Sequence, residues 1–118
     1  MRFYSTNHQS KPVSFREAVL NGIANDGGLY YPERVHDLSA SFFKQLPELS
    51  LSEIGYYFLK PYVGDEMTDQ ELKFLLDQAL NFDIPLVRIK ENEYVLELFH
   101  GPTLAFKDVG ARTMARFL

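Results

Sequence analysis

The chain contains no cysteine in its 118 residues. That excludes disulfides and thiolate metal sites, and it fits either side of a membrane. Its three histidines, His8, His36 and His100, lack a short ligand spacing such as HxxxH, so no zinc site is expected. No run approaches the roughly 18 apolar residues of a membrane span, and the opening "MRFYSTNHQS" lacks the apolar core of a signal peptide. Lysines and arginines are scattered rather than massed, and the net charge is -4, so neither a nucleic-acid surface nor a basic membrane patch is expected. There is no internal repeat and no low-complexity segment. These absences leave a soluble, cytoplasmic protein that engages neither nucleic acid nor membrane.

What is present is core-forming material. The chain is 46% apolar and 14% aromatic, with ten Phe and seven Tyr, enough for one modest domain or a piece of a larger one. Phe3 and Tyr4 begin a short extended run. Ser14 is placed to cap a helix over "FREAVLNGI", where Phe15, Val19 and Ile23 recur near helical spacing. "NDGG" breaks that helix, and Asp26, Gly27 and Gly28 read as turn chemistry. "LYYP" is a brief strand stopped by Pro32. Ser39 or Ser41 opens a helix through Phe42, Phe43 and Leu46, halted by Pro47. "SLSEIGYYFLK" is another helix, with Ile54, Tyr57 and Phe58 as its apolar stripe and Pro61 ending it near Lys60. In "MTDQELKFLLDQALNF", Thr68 and Glu71 have capping-box spacing, and Leu72, Leu75, Leu76 and Ala79 line one face. After Pro85, two apolar runs flank the polar "KENE", which suggests a hairpin from Leu86 to Phe99 despite a turn without glycine.

The closing stretch, "ELFHGPTLAFKDVGARTMARFL", raises a chemical question. A strand-like run stops at Gly101-Pro102, and a helix-like run follows, with Thr103 as a possible N-cap and Lys107 in the first turn. A cation at the amide end of a helix is mildly disfavoured. Lys107 reads in one of two ways. It is a solvated residue on a polar face, as most lysines are. Or it is an amine kept neutral by apolar neighbours and the helix end, with small Ala111 one turn on leaving room for a flat ring, which is the setting of a Schiff-base lysine. Phe106, Val109, Gly110, Thr113 and Phe117 follow helical spacing along the same segment. Asp108 fits a role in offsetting the helix dipole, with orientation of Lys107 the second option. His100 either satisfies a backbone group at the strand end or binds a ligand.

At these residues "ELFHGPTLAFKD" closely resembles the cofactor-attachment segment of the threonine synthase family. Two further blocks resemble that family in the expected order: "SFREAVLNGIANDGGLYYPE", from Ser14 to Glu33, and more weakly "YVGDEM", from Tyr62 to Met67. The resemblance implies a fold type II enzyme that uses pyridoxal 5'-phosphate to convert O-phosphohomoserine and water into threonine and phosphate. It assigns Lys107 as the attachment residue, with His100 and Thr103 as candidate substrate contacts and no metal. The fold expected is α+β: a mainly helical amino-terminal module over residues 1–85, with short strands, then residues 86–118 as the start of the α/β cofactor domain, where the hairpin leads into its first helix. The family's glycine-rich phosphate loop has no counterpart here, and the last apolar stripe has no following layer. The chain therefore reads as the amino-terminal quarter or so of a longer enzyme, inactive without the remainder of the catalytic domain. The alternatives are a non-catalytic docking or regulatory module, and another fold type II elimination or replacement enzyme.

Overall fold

Four helices begin on a hydroxyl residue whose side chain accepts an amide from inside the first turn: Ser14, Ser39, Ser50 and Thr68. In three of them the acid three positions on returns a bond to the cap amide, Glu17 to Ser14 at 2.8 Å, Glu53 to Ser50 at 2.7 Å and Glu71 to Thr68 at 2.8 Å. Each pair satisfies two amides that a helix start otherwise leaves open.

The computed structural model describes residues 1–118. Strand β1 (Phe3–Ser5) is followed by helix α1 (Phe15–Asn21), strand β2 (Tyr30–Pro32), helix α2 (Ala40–Gln45) and a 3-10 turn at Leu46–Glu48. Helices α3 (Leu51–Val63) and α4 (Asp69–Ala79), the hairpin β3 (Leu86–Lys90) and β4 (Glu93–Leu96), and helix α5 (Asp108–Phe117) complete the chain. The class is α+β, with two separate two-stranded antiparallel sheets. No helix is long and apolar enough to cross a membrane.

The core lies where α3, α4 and α5 meet. Leu72, Leu75, Leu76 and Ala79, the stripe expected on α4, are buried there with Val63 and Leu80. Phe15, Leu51, Leu59, Val109 and Phe117 pack around them. Gly55 lets α3 and α4 approach closely, since a Cβ there would stand 2.9 Å from Leu80 Cδ1.

Helix α3 departs from the sequence expectation twice. Its core face is the line Leu51, Gly55, Leu59 and Val63, not the stripe Ile54, Tyr57 and Phe58; Phe58 is 50% exposed. Tyr57 and Phe58 instead hold α2, meeting the buried Phe42 ring edge to face at centroid distances of 5.3 and 6.1 Å. Nor does Pro61 end the helix, which runs to Val63. A proline in the last turn forfeits one amide bond. Burial of Val63 in the core and the bond from Gly64 N to Lys60 O, 2.9 Å, hold the final turn regardless. Lys60 Nζ adds a bond to Gly64 O at 3.0 Å and an ion pair with Asp69 at 2.6 Å.

Helix α1 also stops earlier than its apolar spacing suggests. Gly22, at φ 68°, ends it, and Ile23 leaves the helical stripe to bridge Leu29. The hairpin forms as expected, with Val87 opposite Val95 and Arg88 opposite Tyr94. Its turn needs no glycine because Asn92 takes φ 60°, a region that asparagine tolerates better than most residues.

Candidate active site around Lys107

The hairpin delivers the chain to His100. The His100 ring stacks on Phe99, with centroids 4.8 Å apart, and its Nε2 lies 2.6 Å from Glu97 Oε2. This histidine therefore pairs with a carboxylate, where a backbone partner or a ligand had been the options.

The segment from Gly101 to Lys107 is a series of turns, and this corrects the expected helix start. Helix α5 begins at Asp108, and Thr103 does not cap it. Leu104 stands in the left-handed region at φ 56°, which interrupts any helix begun at Thr103. Thr103 directs its polar groups forward to Asp108: its amide donates to Oδ2 at 2.9 Å and its hydroxyl to Oδ1 at 2.7 Å. Asp108 is only 2% exposed. The Thr103 hydroxyl, then the Thr103 and Ala105 amides and the Arg112 charge, hold its carboxyl below the usual range, against the opposing effect of burial. Asp108 is thus more than a dipole partner. Gly101 is required here, because a Cβ would come within 2.7 Å of Asp108 Cβ.

Lys107 occupies the N-cap position of α5 with helical backbone angles, φ -63° and ψ -17°. Its carbonyl accepts the Ala111 amide at 2.8 Å. The side chain is exposed and enters none of the three ion pairs of the chain. The apolar enclosure expected from Phe106 is not formed, since Phe106 lies outside the helix and is 65% exposed. Val109 and Phe117 do pack inward, so the expected stripe holds from the second helical residue onward.

Gly110 and Ala111 follow Lys107 at i+3 and i+4, on its own face of the helix. A Cβ at Gly110 would meet nothing within 4 Å. The small residues leave that side of α5 open at Gly110, which is compatible with a group carried on Lys107. An apolar cleft of about 440 Å³ opens on the side of α5 facing α1 and α3, lined by Val19, Ile54, Phe58, Met114 and Phe117 among others; Lys107 does not line it. No group of three or more histidine and carboxylate side chains is arranged to hold a metal ion.

Helix α5 is itself anchored. The Arg112 guanidinium donates to Gln78 O at 2.9 Å and Asn81 Oδ1 at 2.8 Å, at the carboxyl end of α4, and lies over the Phe82 ring. A cation at that end of a helix meets its exposed carbonyls and the negative pole of its dipole. Sequence reasoning missed Arg112 and Glu97 as organisers of this region, and it singled out Asp108 without its bonds to Thr103. The one local signal was negative: Thr103 has no acid three residues on, and its acid stands five on.

Comparison with known proteins is consistent along the chain. A family model described as "Threonine synthase N terminus" matches residues 2–80. The chain is 40% identical, over its whole length, to a threonine synthase of Haemophilus influenzae and 36% identical to one of Pseudomonas aeruginosa. It spans 27% and 26% of those two proteins, about a quarter of the curated relatives it matches. The crystal structure of threonine synthase from Escherichia coli superposes with a TM-score of 0.92 at 33% identity, covering 100% of this chain and 28% of that one. The pyridoxal-phosphate-bound threonine synthase of Brucella melitensis gives 0.91 at 38% identity, covering 98% and 26%.

Proposed function

The chain belongs to the threonine synthase family, and from that premise we propose that it carries the cofactor-attachment lysine, Lys107, of an enzyme converting O-phosphohomoserine and water into threonine and phosphate. In this reading residues 1–85 are the amino-terminal helical module, and the pyridoxal-phosphate-binding part begins with the hairpin at Leu86. The remainder of the catalytic domain supplies the groups that hold the cofactor phosphate and ring. The parent enzyme belongs to threonine biosynthesis in the cytoplasm.

The observation that carries the proposal is the setting of Lys107: an exposed amine at the head of an anchored helix, after a turn whose conformation is fixed from both sides. When bound, pyridoxal phosphate supplies an electron sink for carbanions formed at successive substrate carbons. Lys107 Nζ would hold the cofactor covalently and, when free, would move protons at the substrate carbons. Its reach is set by α5, which Arg112 ties to α4. His100 and Thr103 are proposed as substrate contacts. Thr103 spends its hydroxyl proton on Asp108 but keeps oxygen lone pairs, and His100 keeps its second ring nitrogen beyond the Glu97 pair.

Borohydride reduction of the cofactor-loaded full-length protein, followed by peptide mapping, tests the assignment. The pyridoxyl label is expected on Lys107, and a label on another lysine overturns the proposal. Lys107→Ala is expected to abolish turnover with little change in the melting temperature of the cofactor-free protein, because the exposed side chain supports no packing.

A further inference from the structure

The turn before α5 is costly, and its hydrogen bonds converge on one carboxylate. Leu104 sits at φ 56°. For a leucine the left-handed region is unfavourable by roughly 1–2 kcal/mol. Its side chain is 74% exposed, so packing does not offset the strain. What holds it is polar: Leu104 N donates to Gly101 O at 3.0 Å, and Thr103 on one side of it is bonded twice to Asp108. Asp108 N in turn donates to Ala105 O at 3.0 Å, closing the loop on the other side. Strain that persists only because its surroundings enforce it is a reason to ask what the enforced geometry serves.

An aspartate in the first turn of a helix ordinarily complements the dipole from the solvent side. Asp108 is instead turned inward and fully engaged by the preceding turn. The buried core residues come from α3 and α4 and their ends, and α5 adds Val109 and Phe117 to them; none of these side chains takes part in the Thr103–Asp108 bonds. The residue enclosed by the loop of bonds, between Ala105 and Asp108, is Lys107 with its neighbour Phe106. The backbone at Lys107 is thus bracketed by the Asp108 N to Ala105 O bond and, through Asp108, by the bonds to Thr103.

We propose that Asp108 and Thr103 form a latch that positions Lys107, making Asp108 a positioning residue for the cofactor amine. This inference rests on the assignment of Lys107 made above. A misplacement of a reacting group by about 1 Å can cost on the order of a hundredfold in rate. The latch is thus expected to act on turnover more than on substrate affinity.

The test uses the full-length, cofactor-loaded protein with Thr103→Val, Thr103→Ser and Asp108→Asn. Thr103→Val removes the hydroxyl bond and keeps the amide bond, and because Thr103 is also a proposed substrate contact, the cofactor absorbance read without substrate is what separates the latch from that contact. We expect kcat for the Val variant to fall about tenfold or more, with KM changed less than about twofold. The pH midpoint of the absorbance of the lysine-bound cofactor, read without substrate, is expected to shift in the same variant. Thr103→Ser, which restores the hydroxyl, is expected to recover both. If Thr103→Val lowers only the melting temperature, leaving kcat and the absorbance midpoint as in the wild type, the latch is a plain cap and the inference is overturned. Borohydride mapping of the wild type separates the two levels. A label away from Lys107 overturns the lysine assignment and the latch with it, whereas a label on Lys107 with unaltered kinetics in the variants overturns the latch alone.

Discussion

The rings of Phe15 and Phe117 meet edge to face, with centroids 5.1 Å apart at 75°. Phe15 opens α1 and Phe117 closes α5, so the first and last helices of the chain share one contact. Phe3 on β1 extends the series, 5.8 Å from Phe15. The helix that carries Lys107 at its head is thereby seated on the amino-terminal layer, and its stability depends on residues a hundred positions away in sequence.

Phe117→Ala is expected to destabilise the chain by roughly 2 kcal/mol, below the range for a fully buried phenylalanine because the ring is only partly covered. Denaturant unfolding measures this. Hydrogen exchange should show the added opening in α5 before α4, and uniform loosening of both helices would contradict the arrangement.

Arg112 and Asn81 are expected to be coupled. Arg112→Ala and Asn81→Ala should each cost about 1 kcal/mol, and the double variant should cost less than their sum by about 0.5 kcal/mol or more. Additive effects in the cycle would show that the 2.8 Å bond contributes nothing.

Asp26 makes the amino-terminal layer acid-sensitive. Its carboxylate accepts from Ser5 Oγ at 2.6 Å, Gly28 N at 3.0 Å, and Gln9 N and Ser10 N at 2.9 Å each. The Ser5 hydroxyl foremost, then the Gly28 and Gln9 amides and the Ser10 contact, hold its carboxyl far below the ordinary value of 3.8. The unfolded chain binds the proton more readily, so this contribution is fully present above an ordinary carboxylate pKa and is lost as pH falls through the folded value. Stability is expected to decline below about pH 4. Ser5→Ala should raise the Asp26 midpoint in a carboxyl NMR titration, and an unchanged midpoint would remove Ser5 as the main cause.

Thr68→Ala is expected to cost about 1 kcal/mol through loss of the α4 cap. Thr68→Ser should restore most of it. Urea midpoints at constant slope are the measurement, and equal midpoints for all three chains would show that the cap is dispensable.

Gly28→Ala is expected to destabilise by about 1–3 kcal/mol, the usual range for overpacking, because the new Cβ would lie 2.8 Å from the Asn7 amide nitrogen. The far side of this contact is backbone, which cannot swing away. Thermal melting at neutral pH reads the loss, and an unchanged midpoint would mean that the β1 loop yields instead.

What the sequence by itself determined is what acts within a few residues. The cap at Ser14 was legible as a hydroxyl residue ahead of an apolar-periodic run, and the cap at Thr68 because Glu71, three positions on, closes the bond locally. The core face of α4 was legible because Leu72, Leu75, Leu76 and Ala79 recur along one side of it, and the lysine segment because its residue types resemble those of one family. Tertiary structure decided the rest. Helix α3 has two apolar sides, and which one faces the core depends on α4 and α2 arriving where they do. Pro61 stays helical because Val63 beyond it is buried. The start of α5 moved to Asp108 because a buried carboxylate holds Leu104 in a conformation that its own propensity disfavours. The amino end of α1 has a second cap, Glu66, whose carboxylate accepts the Phe15 and Arg16 amides at 3.1 and 2.8 Å from some fifty residues along the chain. Local hydrogen bonds leave a fixed spacing in the sequence; bonds between distant segments leave none, because folding alone sets the distance between their partners.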